Sequence, residues 1–213
     1  MKTGITILFL SILSIAGTAI IYGRLPEQIP LHWGLDGEID RYGDKIFAFL
    51  TASIPLFILA LMFIIPKIDP RRDNYNKHMS VYKNVMLFLV LFLIGLHWLT
   101  MAVSLGSGLN VPLVIKLFTG LLFIYLGNIM PVIRHNYTFG IRTPWTLANE
   151  RVWTKTHRVG GYLFILTGIV TVILAFFDHA SSFYIVIGLI AALVLFLFGY
   201  SLWLFRKNNF NKK

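Results

Sequence analysis

The chain contains no cysteine among its 213 residues and is poor in charged side chains. The absence of cysteine excludes disulfides, thiolate catalysis and cysteine-based metal sites. Only 13% of the residues are charged, whereas about 25% is usual for a soluble domain. Together with 57% hydrophobic residues and 18 phenylalanines, this deficit indicates that lipid is the main solvent of the folded chain and that this is a membrane protein.

Six apolar runs approach the roughly 20 residues that a helix needs to cross a bilayer. They lie near Ile5–Tyr22, Ile46–Ile65, Val85–Leu105, Val111–Met130, Tyr162–Phe177 and Phe183–Phe205. The fifth run is short and reaches the required length when it is extended back through Val159. Because hydrocarbon offers no partners to backbone N–H and C=O groups, each run is predicted to be a helix. The expected fold class is therefore all-α, a polytopic membrane protein with six transmembrane helices.

Acidic residues are scarce as well, with 9 Asp and Glu against 19 Lys and Arg. The cations lie almost entirely between the apolar runs, a placement that indicates topology signals and attraction to anionic headgroups rather than nucleic-acid binding. Segments on one side of the predicted spans hold 15 of the cations, and the other side holds only Arg24, Arg41 and Lys45. The positive-inside rule therefore predicts a multi-pass membrane protein with both termini in the cytoplasm.

The predicted outward loop, residues 24–45, is rich in proline, glycine and carboxylates. Its acidic side chains outnumber its three cations and are Glu27, Asp36, Glu38, Asp40 and Asp44. One interpretation is an extracellular surface that recognises a cationic or amphipathic peptide, or a weak cation site. The other is that Trp33 and Tyr42 anchor the loop at the membrane interface while the carboxylates stay solvated. Spacing alone does not make a metal site, because carboxylates have no fixed geometry in a glycine-rich loop.

The densest polar stretch of the chain lies between the fourth and fifth runs, from Gly127 to Gly161. Pro131 is predicted to end the fourth helix, and the chain is expected to be irregular from there to Thr143. The Thr143-Pro144 pair is typical of a helix start, with the hydroxyl as N-cap and proline at the first helical position. The helical period continues to about Val159. It predicts a short interfacial helix that turns its apolar side to the membrane and a row of cations, Arg151, Lys155 and Arg158, to the phosphates.

Three interpretations of this central stretch are open. It anchors the bundle at the interface, or its arginines, Arg142, Arg151 and Arg158, bind a phosphate, an anionic lipid or an acidic protein partner. The third is an enzyme in which Glu150 acts with His135 or His157. The stretch contains no H-E-x-x-H motif, P-loop or nucleophile elbow. We therefore predict no catalytic residue, no metal site, no cofactor and no enzyme activity.

Polar residues also occur inside the predicted spans. His97 in the third helix is either functional or a neutral imidazole that hydrogen-bonds a neighbouring helix. Lys116, near the outer end of the fourth helix, is expected to extend its stem so that the ammonium reaches the headgroups. Asn128 is expected to cap the same helix or to bond a neighbour. Pairs of small residues at seven-residue spacing on the fourth and fifth helices predict close helix packing; they are Gly120, Gly127, Gly161 and Gly168.

Two motifs resemble a known family. The pattern P-x-H-W-G-x-x-G-x-x-D-R-Y-G-D-K, Pro30–Lys45, resembles the small membrane domain that often precedes the SdpI region in multispan bacterial proteins. The pattern G-N-x-M-P…N-Y-x-F-G-I-R-T-P-W-T-L…W-x-K-T-H-R-x-G-G, Gly127–Gly161, is similar to the signature of the SdpI immunity-protein family. The resemblance implies an N-terminal two-span domain over residues 1–80 and an SdpI-like four-span domain over residues 81–213.

The resemblance also implies a function, which is resistance of a bacterium to a secreted antimicrobial peptide of the SdpC type. A further implied role is the sequestration of a cytoplasmic repressor at the membrane. The expected partners are then the lipid bilayer, a secreted peptide toxin outside and a repressor inside, with no direct contact to nucleic acid. The alternative is a small-molecule or peptide transporter or exporter, in which His97 and Asn128 line a path.

The motifs name the candidate site residues. Those of the extracellular recognition loop are Pro30, His32, Trp33, Gly34, Asp40 and Lys45. Those of the cytoplasmic motif are Asn128, Pro131, Arg134, Asn136, Gly140, Arg142, Thr143, Pro144, Trp145, Trp153, His157 and Arg158.

Overall fold

A computed structural model describes residues 2–34, 37–177 and 180–210. The helices are α1 Lys2–Ile21, α2 Phe47–Ile68, α3 Asp73–Asn76, α4 Met79–Ser104, α5 Val111–Ile129, α6 Pro144–Ala148, α7 Glu150–Ala175 and α8 Ala180–Phe210. The strands β1 Gln28–Trp33 and β2 Ile39–Asp44 form an antiparallel hairpin. Asp36 of the outward loop lies outside the described residues, as do Lys212 and Lys213, two of the 15 cations counted on one side of the spans.

The described residues include six helices that are long and apolar enough to cross a membrane. These spans are Thr3–Arg24, Phe47–Ile68, Met79–Ser104, Val111–Val132, Glu150–Ala175 and Ser181–Lys207. The fold class predicted from the apolar runs, an all-α multi-pass membrane protein, is confirmed. The fifth span begins earlier than its apolar run because α7 carries charged residues in its first turns.

The chain forms two compact units whose segments alternate along its length. The first comprises Met1–Ile64, Lys83–Ile115 and Asp178–Ala180, and the second comprises Ile65–Tyr82, Lys116–Phe177 and Ser181–Lys213. These units are groupings by spatial contact. The predicted division into domains at residue 80 stays a prediction.

A small apolar core in the first unit holds the hairpin against the helices. Leu25, Ile29, Ala48 and Met101 are buried together, and Trp98 packs against them. Ile29 lies in β1 and Ala48 in the first turn of α2. The core therefore fixes one strand of the hairpin to the helix that follows it.

His97 connects three helices of the first unit. Its Nε2 lies 2.9 Å from the hydroxyl of Thr18 on α1, and its Nδ1 lies 2.9 Å from the hydroxyl of Thr51 on α2. Each hydroxyl also donates to a carbonyl of its own helix, Thr18 to Ser14 at 2.9 Å and Thr51 to Ala48 at 3.1 Å. The interpretation of His97 as an imidazole that bonds neighbouring helices agrees with these contacts.

Glycines bring α5 and α7 into backbone contact in the second unit. A Cβ added to Gly127 would lie 2.6 Å from the carbonyl oxygen of Gly161, and one added to Gly168 would lie 2.6 Å from that of Gly120. The reverse distances, from Gly161 to Gly127 and from Gly120 to Gly168, are both 2.8 Å. All four are shorter than a real Cβ contact. The predicted packing role of these glycines is therefore confirmed.

The expectation that Lys116 extends to the headgroups is wrong. Its side chain is 2% exposed. The ammonium donates to the carbonyls of Leu174 and Phe177 at 3.2 and 3.0 Å and to the hydroxyl of Ser182 at 2.8 Å. The last carbonyls of a helix have no partner within that helix. A cation at this end is also favoured by the helix dipole, so Lys116 is better placed here than in the headgroups.

Candidate functional site

The candidate outward site is an antiparallel hairpin, whereas the sequence predicted a loop. Ile29, Leu31 and Trp33 alternate along β1, and Ile29 and Pro30 are buried while His32 is exposed. Side chains of a strand alternate between its two faces, so this alternation was the available signal. It was missed because the surrounding prolines and glycines are more typical of loops.

The hairpin gives its carboxylates fixed partners, which corrects the expectation that they have no defined geometry. The Nδ1 of His32 lies 2.6 Å from Oδ1 of Asp40, and both side chains are about half exposed. The ammonium of Lys45 donates to Oε1 of Glu27 at 2.8 Å, and this hydrogen bond raises the pKa of Lys45. Because the side chain of Glu27 is 85% exposed, this ion pair contributes little to stability.

The turn of the hairpin lies against the start of α5 in the same unit. Gly34 donates to the carbonyl of Glu38 at 2.8 Å, and Gly37 has a φ of +85°. A side chain at Gly37 would overlap the ring of Pro112. Trp33 and Glu38 line an open cavity of about 320 Å³ beside this contact.

Of the predicted outward residues, Trp33 lines a cavity, His32, Asp40 and Lys45 form polar pairs, and Pro30 and Gly34 shape the strand and the turn.

The central stretch contains two helices where one was predicted. Asn149 has an extended backbone, with φ −146° and ψ 120°, and it ends α6 and caps α7 with its side chain. The predicted interfacial helix from Thr143 to Val159 is therefore wrong in extent. Its first part is the five-residue helix α6, and its second part is the beginning of the fifth span. Arg151, Lys155 and Arg158 are all exposed and lie together in the first turns of α7.

The predicted helix start at Thr143 is confirmed. Its hydroxyl accepts from the N–H of Thr146 at 3.2 Å, and the hydroxyl of Thr146 accepts from the N–H of Thr143 at 2.8 Å. This reciprocal pair is a capping box, with Pro144 at the first helical position. The Thr143 hydroxyl also lies 2.9 Å from that of Ser201 on α8. The cap therefore connects the central stretch to the last span.

Trp145 reinforces the contact between α6 and α8. Its ring meets that of Phe198 edge to face, with 4.7 Å between centroids. The half-buried indole therefore packs against a helix of its own unit. This contact supports the anchoring interpretation of the stretch.

Asn136 organises the irregular segment between Met130 and Thr143. It is completely buried. Its side-chain oxygen accepts from the backbone N–H of Thr138 at 2.9 Å and of Phe139 at 2.8 Å, and its amide donates to the carbonyl of Arg134 at 2.8 Å. Asparagine folds tight turns in this way because its short amide reproduces the backbone pattern. One buried side chain thus replaces the hydrogen bonds of a regular element.

His157 and Trp153 form the wall behind this segment. Their rings stack with centroids 4.0 Å apart. His157 donates from Nδ1 to the carbonyl of Trp153 at 2.9 Å and accepts at Nε2 from the N–H of Ile141 at 3.0 Å. The indole N–H of Trp153 donates to the carbonyl of Ile133 at 2.9 Å. Both rings therefore support the backbone of the loop, at two points on either side of Asn136.

Gly140 completes this contact because no other residue fits there. Its φ is +113°, and an added Cβ would lie 2.5 Å from Nε2 of His157. A residue with a side chain rarely adopts this backbone conformation. Glycine is therefore required at position 140 for two reasons, the positive φ of its backbone and the lack of room for a side chain beside His157.

A buried carboxylate that the sequence analysis did not select joins the preceding loop to this segment. Asp69 is 3% exposed. It accepts from the N–H of Arg71 at 2.7 Å, the N–H of Tyr137 at 3.0 Å and the hydroxyl of Tyr75 at 3.1 Å. The Tyr75 hydroxyl also makes a short hydrogen bond with Thr138. An acid between prolines in a basic loop was the only signal available for this role.

Two further contacts join the same two segments. The amide of Asn74 donates to the carbonyl of His135 at 2.8 Å. The guanidinium of Arg71 lies over the ring of Tyr137 at 5.0 Å. Residues 69–75 and 133–147 therefore form one folded surface, which we call the central cluster.

Burial sets the protonation of the titratable groups in the central cluster. It lowers the pKa of His135, and the charge of Arg71 lowers it further. It lowers the pKa of His78, which packs against Tyr75 and Phe139. It also raises the pKa of Tyr75 to about 12. The neutral imidazole is thereby favoured at both histidines, and Tyr75 keeps the proton that it donates to Asp69.

The motif arginines have different surroundings. Arg142 donates to the carbonyl of Tyr137 at 2.8 Å and so helps to hold the segment. The side chains of Arg134 and Arg158 are exposed.

Pro131 lies in a short 3-10 turn, Met130–Val132, and its ring faces Gly161. Asn128 donates to the carbonyl of Ile124 on its own helix at 3.0 Å.

These contacts bear on the enzymatic interpretation. Both ring nitrogens of His157 are engaged with backbone groups, and Nε2 of His135 donates to the carbonyl of Leu147 at 3.1 Å. No group of three or more metal-ligating side chains occurs within residues 2–34, 37–177 and 180–210. The two histidines on which the enzymatic interpretation depends thus support the backbone of the loop.

Comparisons with known proteins agree with the motifs. The SdpI/YfhL protein family matches residues 132–201, and the domain of unknown function DUF1648 matches residues 9–59. The chain is 28% identical to the Immunity protein SdpI of Bacillus subtilis (strain 168) over 207 residues, which cover 94% of this chain and 95% of that protein. No solved structure matches the chain significantly.

The motif residues from Arg134 to Arg158 all lie within the region that the first family matches, and Pro30–Lys45 lies within the second. The recognition made from the two motifs is thereby confirmed. This multi-pass membrane protein carries an SdpI/YfhL family domain, preceded by a DUF1648 domain.

Proposed function

We propose that this protein is a membrane immunity protein that gives the cell resistance to a secreted antimicrobial peptide of the SdpC type. The observation that carries the proposal is its similarity to an immunity protein along 94% of the chain. The central cluster supports it, because the residues of the family motif form one connected structure rather than scattered surface positions. A motif whose residues depend on one another is expected when the folded surface itself is the functional unit.

The hairpin is the proposed contact for the peptide, on the outer side that the distribution of Lys and Arg predicts. It presents the exposed His32 and Asp40, with Trp33 beside a cavity. Glu27 adds a carboxylate that is 85% exposed. An amphipathic, cationic peptide matches this combination, since its apolar side chains meet the aromatic ring and its cations meet the carboxylates.

The central cluster is the proposed contact for a cytoplasmic partner. The exposed cations Arg151, Lys155 and Arg158 extend from α7 beside it. Arginine binds carboxylates bidentately and holds its charge at any physiological pH. An acidic surface of a repressor fits this row. Sequestration of such a repressor predicts that Arg151→Ala with Arg158→Ala reduces its recovery in the membrane fraction.

The transport alternative lacks support from the two residues on which it was based. Both ring nitrogens of His97 are hydrogen-bonded to neighbouring helices. The amide of Asn128 bonds its own helix. These contacts are those of residues that hold helices rather than of residues that exchange partners with a passing solute.

The decisive experiment expresses the protein in a bacterium that is sensitive to an SdpC-type peptide and measures survival against peptide concentration. The wild type is expected to raise survival. The double variant His32→Ala with Asp40→Ala is expected to lose protection, because it removes the polar pair of the hairpin. Lys77→Ala is the control, since it replaces an exposed side chain that belongs to neither proposed contact. Immunoblots of the membrane fraction confirm equal amounts of each variant.

Unchanged survival with well-expressed wild-type protein would contradict immunity to that peptide. Full protection by the hairpin variant would leave immunity in place and reject the hairpin as the contact. Transport is tested in the same cells by following labelled peptide. Peptide efflux that stops with His97→Phe and leaves the protein folded would favour the alternative.

A further inference from the structure

The four cations between Lys67 and Lys77, in the last turn of α2 and the segment after it, differ in what they contact. Arg71 lies over Tyr137 and is part of the central cluster. The ammonium of Lys77 donates to the side-chain oxygen of Asn74 at 3.2 Å. Lys67 and Arg72 are exposed, and neither side chain has a hydrogen bond or ion pair with any other residue that the structure describes. Two of the four charges are therefore available to a ligand.

Lys67 and Arg72 line the same cavity, which has a volume of about 300 Å³. Pro66 and Met79 supply apolar walls, and Asp73 and Asn76 supply polar ones. All of these residues belong to the second compact unit. The cavity thus combines two free cations, an apolar side and hydrogen-bonding groups within a short segment of chain.

The depth of the cavity follows from the spans on either side. The second span ends at Ile68 and the third begins at Met79. The lining residues are the last of one span, the connecting segment and the first of the next. They therefore lie where hydrocarbon meets headgroups, whichever side of the membrane this segment faces.

We propose that this cavity binds the headgroup of an anionic phospholipid. The phosphodiester is held by the guanidinium of Arg72 and the ammonium of Lys67. The glycerol backbone and first acyl carbons lie on Pro66 and Met79. Arginine suits this role because its planar fork matches two phosphate oxygens.

The charge of the cavity selects among phosphate ligands. Two cations and the carboxylate of Asp73 give a formal charge of +1, which a phosphodiester with one negative charge neutralises. Asp73 also accepts a hydrogen bond from a headgroup hydroxyl, as in phosphatidylglycerol. A quaternary ammonium headgroup offers no such donor. The inference concerns lipid alone and is independent of the immunity function.

The test uses the full chain, delipidated in a neutral detergent, and titrates it with phosphatidylglycerol or phosphatidylcholine while bound lipid is counted by native mass spectrometry. The wild type is expected to bind phosphatidylglycerol more tightly. Lys67→Gln with Arg72→Gln is expected to weaken that binding by about tenfold or more, since both cations that hold the phosphodiester are removed. Lys77→Gln with Lys83→Gln makes the same change in charge outside the cavity and is expected to have little effect.

A second variant separates the cavity from its charge. Asn76→Trp fills the space without altering any charge and is expected to weaken phosphatidylglycerol binding as well. Because Asn76, Lys67 and Arg72 are exposed, these substitutions are expected to fold, and circular dichroism checks this. If the double variant does not fold, the single variants and Asn76→Trp decide the matter.

Three results would overturn the proposal. Equal loss in the cavity and control variants would show attraction to net charge without a site. Unchanged binding by Asn76→Trp would place the lipid elsewhere. Displacement of the lipid by inorganic phosphate or glycerol 3-phosphate at similar concentration would show a site for a soluble phosphate.

Discussion

The Nε2 of His157 accepts a hydrogen bond from the N–H of Ile141 at 3.0 Å, immediately after a glycine whose φ is +113°. The ring can approach the backbone so closely because Gly140 has no side chain. A loop without regular hydrogen bonds is thus held by a side chain from the following helix. Gly140 and His157, which are 17 residues apart, therefore depend on each other: the glycine leaves the space that the imidazole occupies.

Gly140→Ala is expected to lower the thermal midpoint of the detergent-solubilised protein substantially, with a cost of about 2–4 kcal/mol from strain and overlap. The new Cβ would lie 2.5 Å from Nε2 of His157. Gly106→Ala is the control, because Gly106 has a φ of +85° but nothing within 4 Å of an added Cβ. Equal midpoints for the two variants would show that backbone strain alone matters and that the contact with His157 does not.

Gly127→Ala is expected to separate α5 from α7 and to cost about 1–3 kcal/mol, as overpacking typically does. The added Cβ would lie 2.6 Å from the carbonyl oxygen of Gly161, a backbone atom that cannot move aside. Thermal unfolding and size-exclusion profiles in detergent measure the effect. Gly199→Ala on α8 has open space around it and should be neutral. A Gly127→Ala variant as stable as Gly199→Ala would refute the close crossing.

Asp69→Ala is expected to loosen the central cluster, because it leaves the N–H of Tyr137 and the hydroxyl of Tyr75 without their acceptor. Each unpaired buried donor costs about 1–3 kcal/mol. Limited trypsin digestion measures the result as faster cleavage after Arg134 and Arg142. Asp73→Ala removes an exposed carboxylate from the same loop and should be cut at the wild-type rate. Identical cleavage rates for Asp69→Ala and Asp73→Ala would show that Asp69 does not hold the two segments together.

The stability of the protein is expected to fall between pH 7 and pH 5, and His135→Gln should reduce that dependence. Burial and Arg71 lower the pKa of His135 in the folded state, whereas it is about 6.5 when unfolded. The unfolded chain then binds more protons, so stability rises with pH and is lost as pH falls below about 6.5.

Thermal midpoints across this pH range, compared between wild type and His135→Gln, measure the contribution of His135. Glutamine keeps a donor for the carbonyl of Leu147 but does not titrate. His32→Gln replaces an exposed histidine as the control. A pH dependence that His135→Gln leaves unaltered would show that its protonation is not coupled to folding.

Lys116→Met is expected to lower the thermal midpoint, because the carbonyls of Leu174 and Phe177 and the hydroxyl of Ser182 lose their hydrogen bonds from the ammonium. Lys155→Met is the control, since Lys155 is exposed at the other end of α7. If Lys116 only extended to the headgroups, its replacement by methionine would change the thermal midpoint as little as Lys155→Met does. An unchanged midpoint for Lys116→Met would therefore favour the headgroup interpretation over the buried hydrogen bonds.

The sequence alone determined the six spans, because the thickness of the bilayer sets the length of each apolar run and that length is a local property of the sequence. It also determined the cap at Thr143, since an N-cap and the proline after it act within one turn. The seven-residue spacing of the glycines predicted a close crossing, because spacing along a helix places them on one face. The long motifs pointed to the family domain.

Only the tertiary structure decided which distant groups become partners. Asp69 became the acceptor for Tyr137, and Lys116 capped α7, because packing brings together donors and acceptors that are about 60 residues or more apart. The break at Asn149 was not visible in the helical period, because one residue with an extended backbone interrupts a helix without changing the pattern around it. From the sequence, His157 was a candidate base because its neighbours were unknown. In the structure both of its ring nitrogens are hydrogen-bonded to backbone groups, so His157 supports the loop.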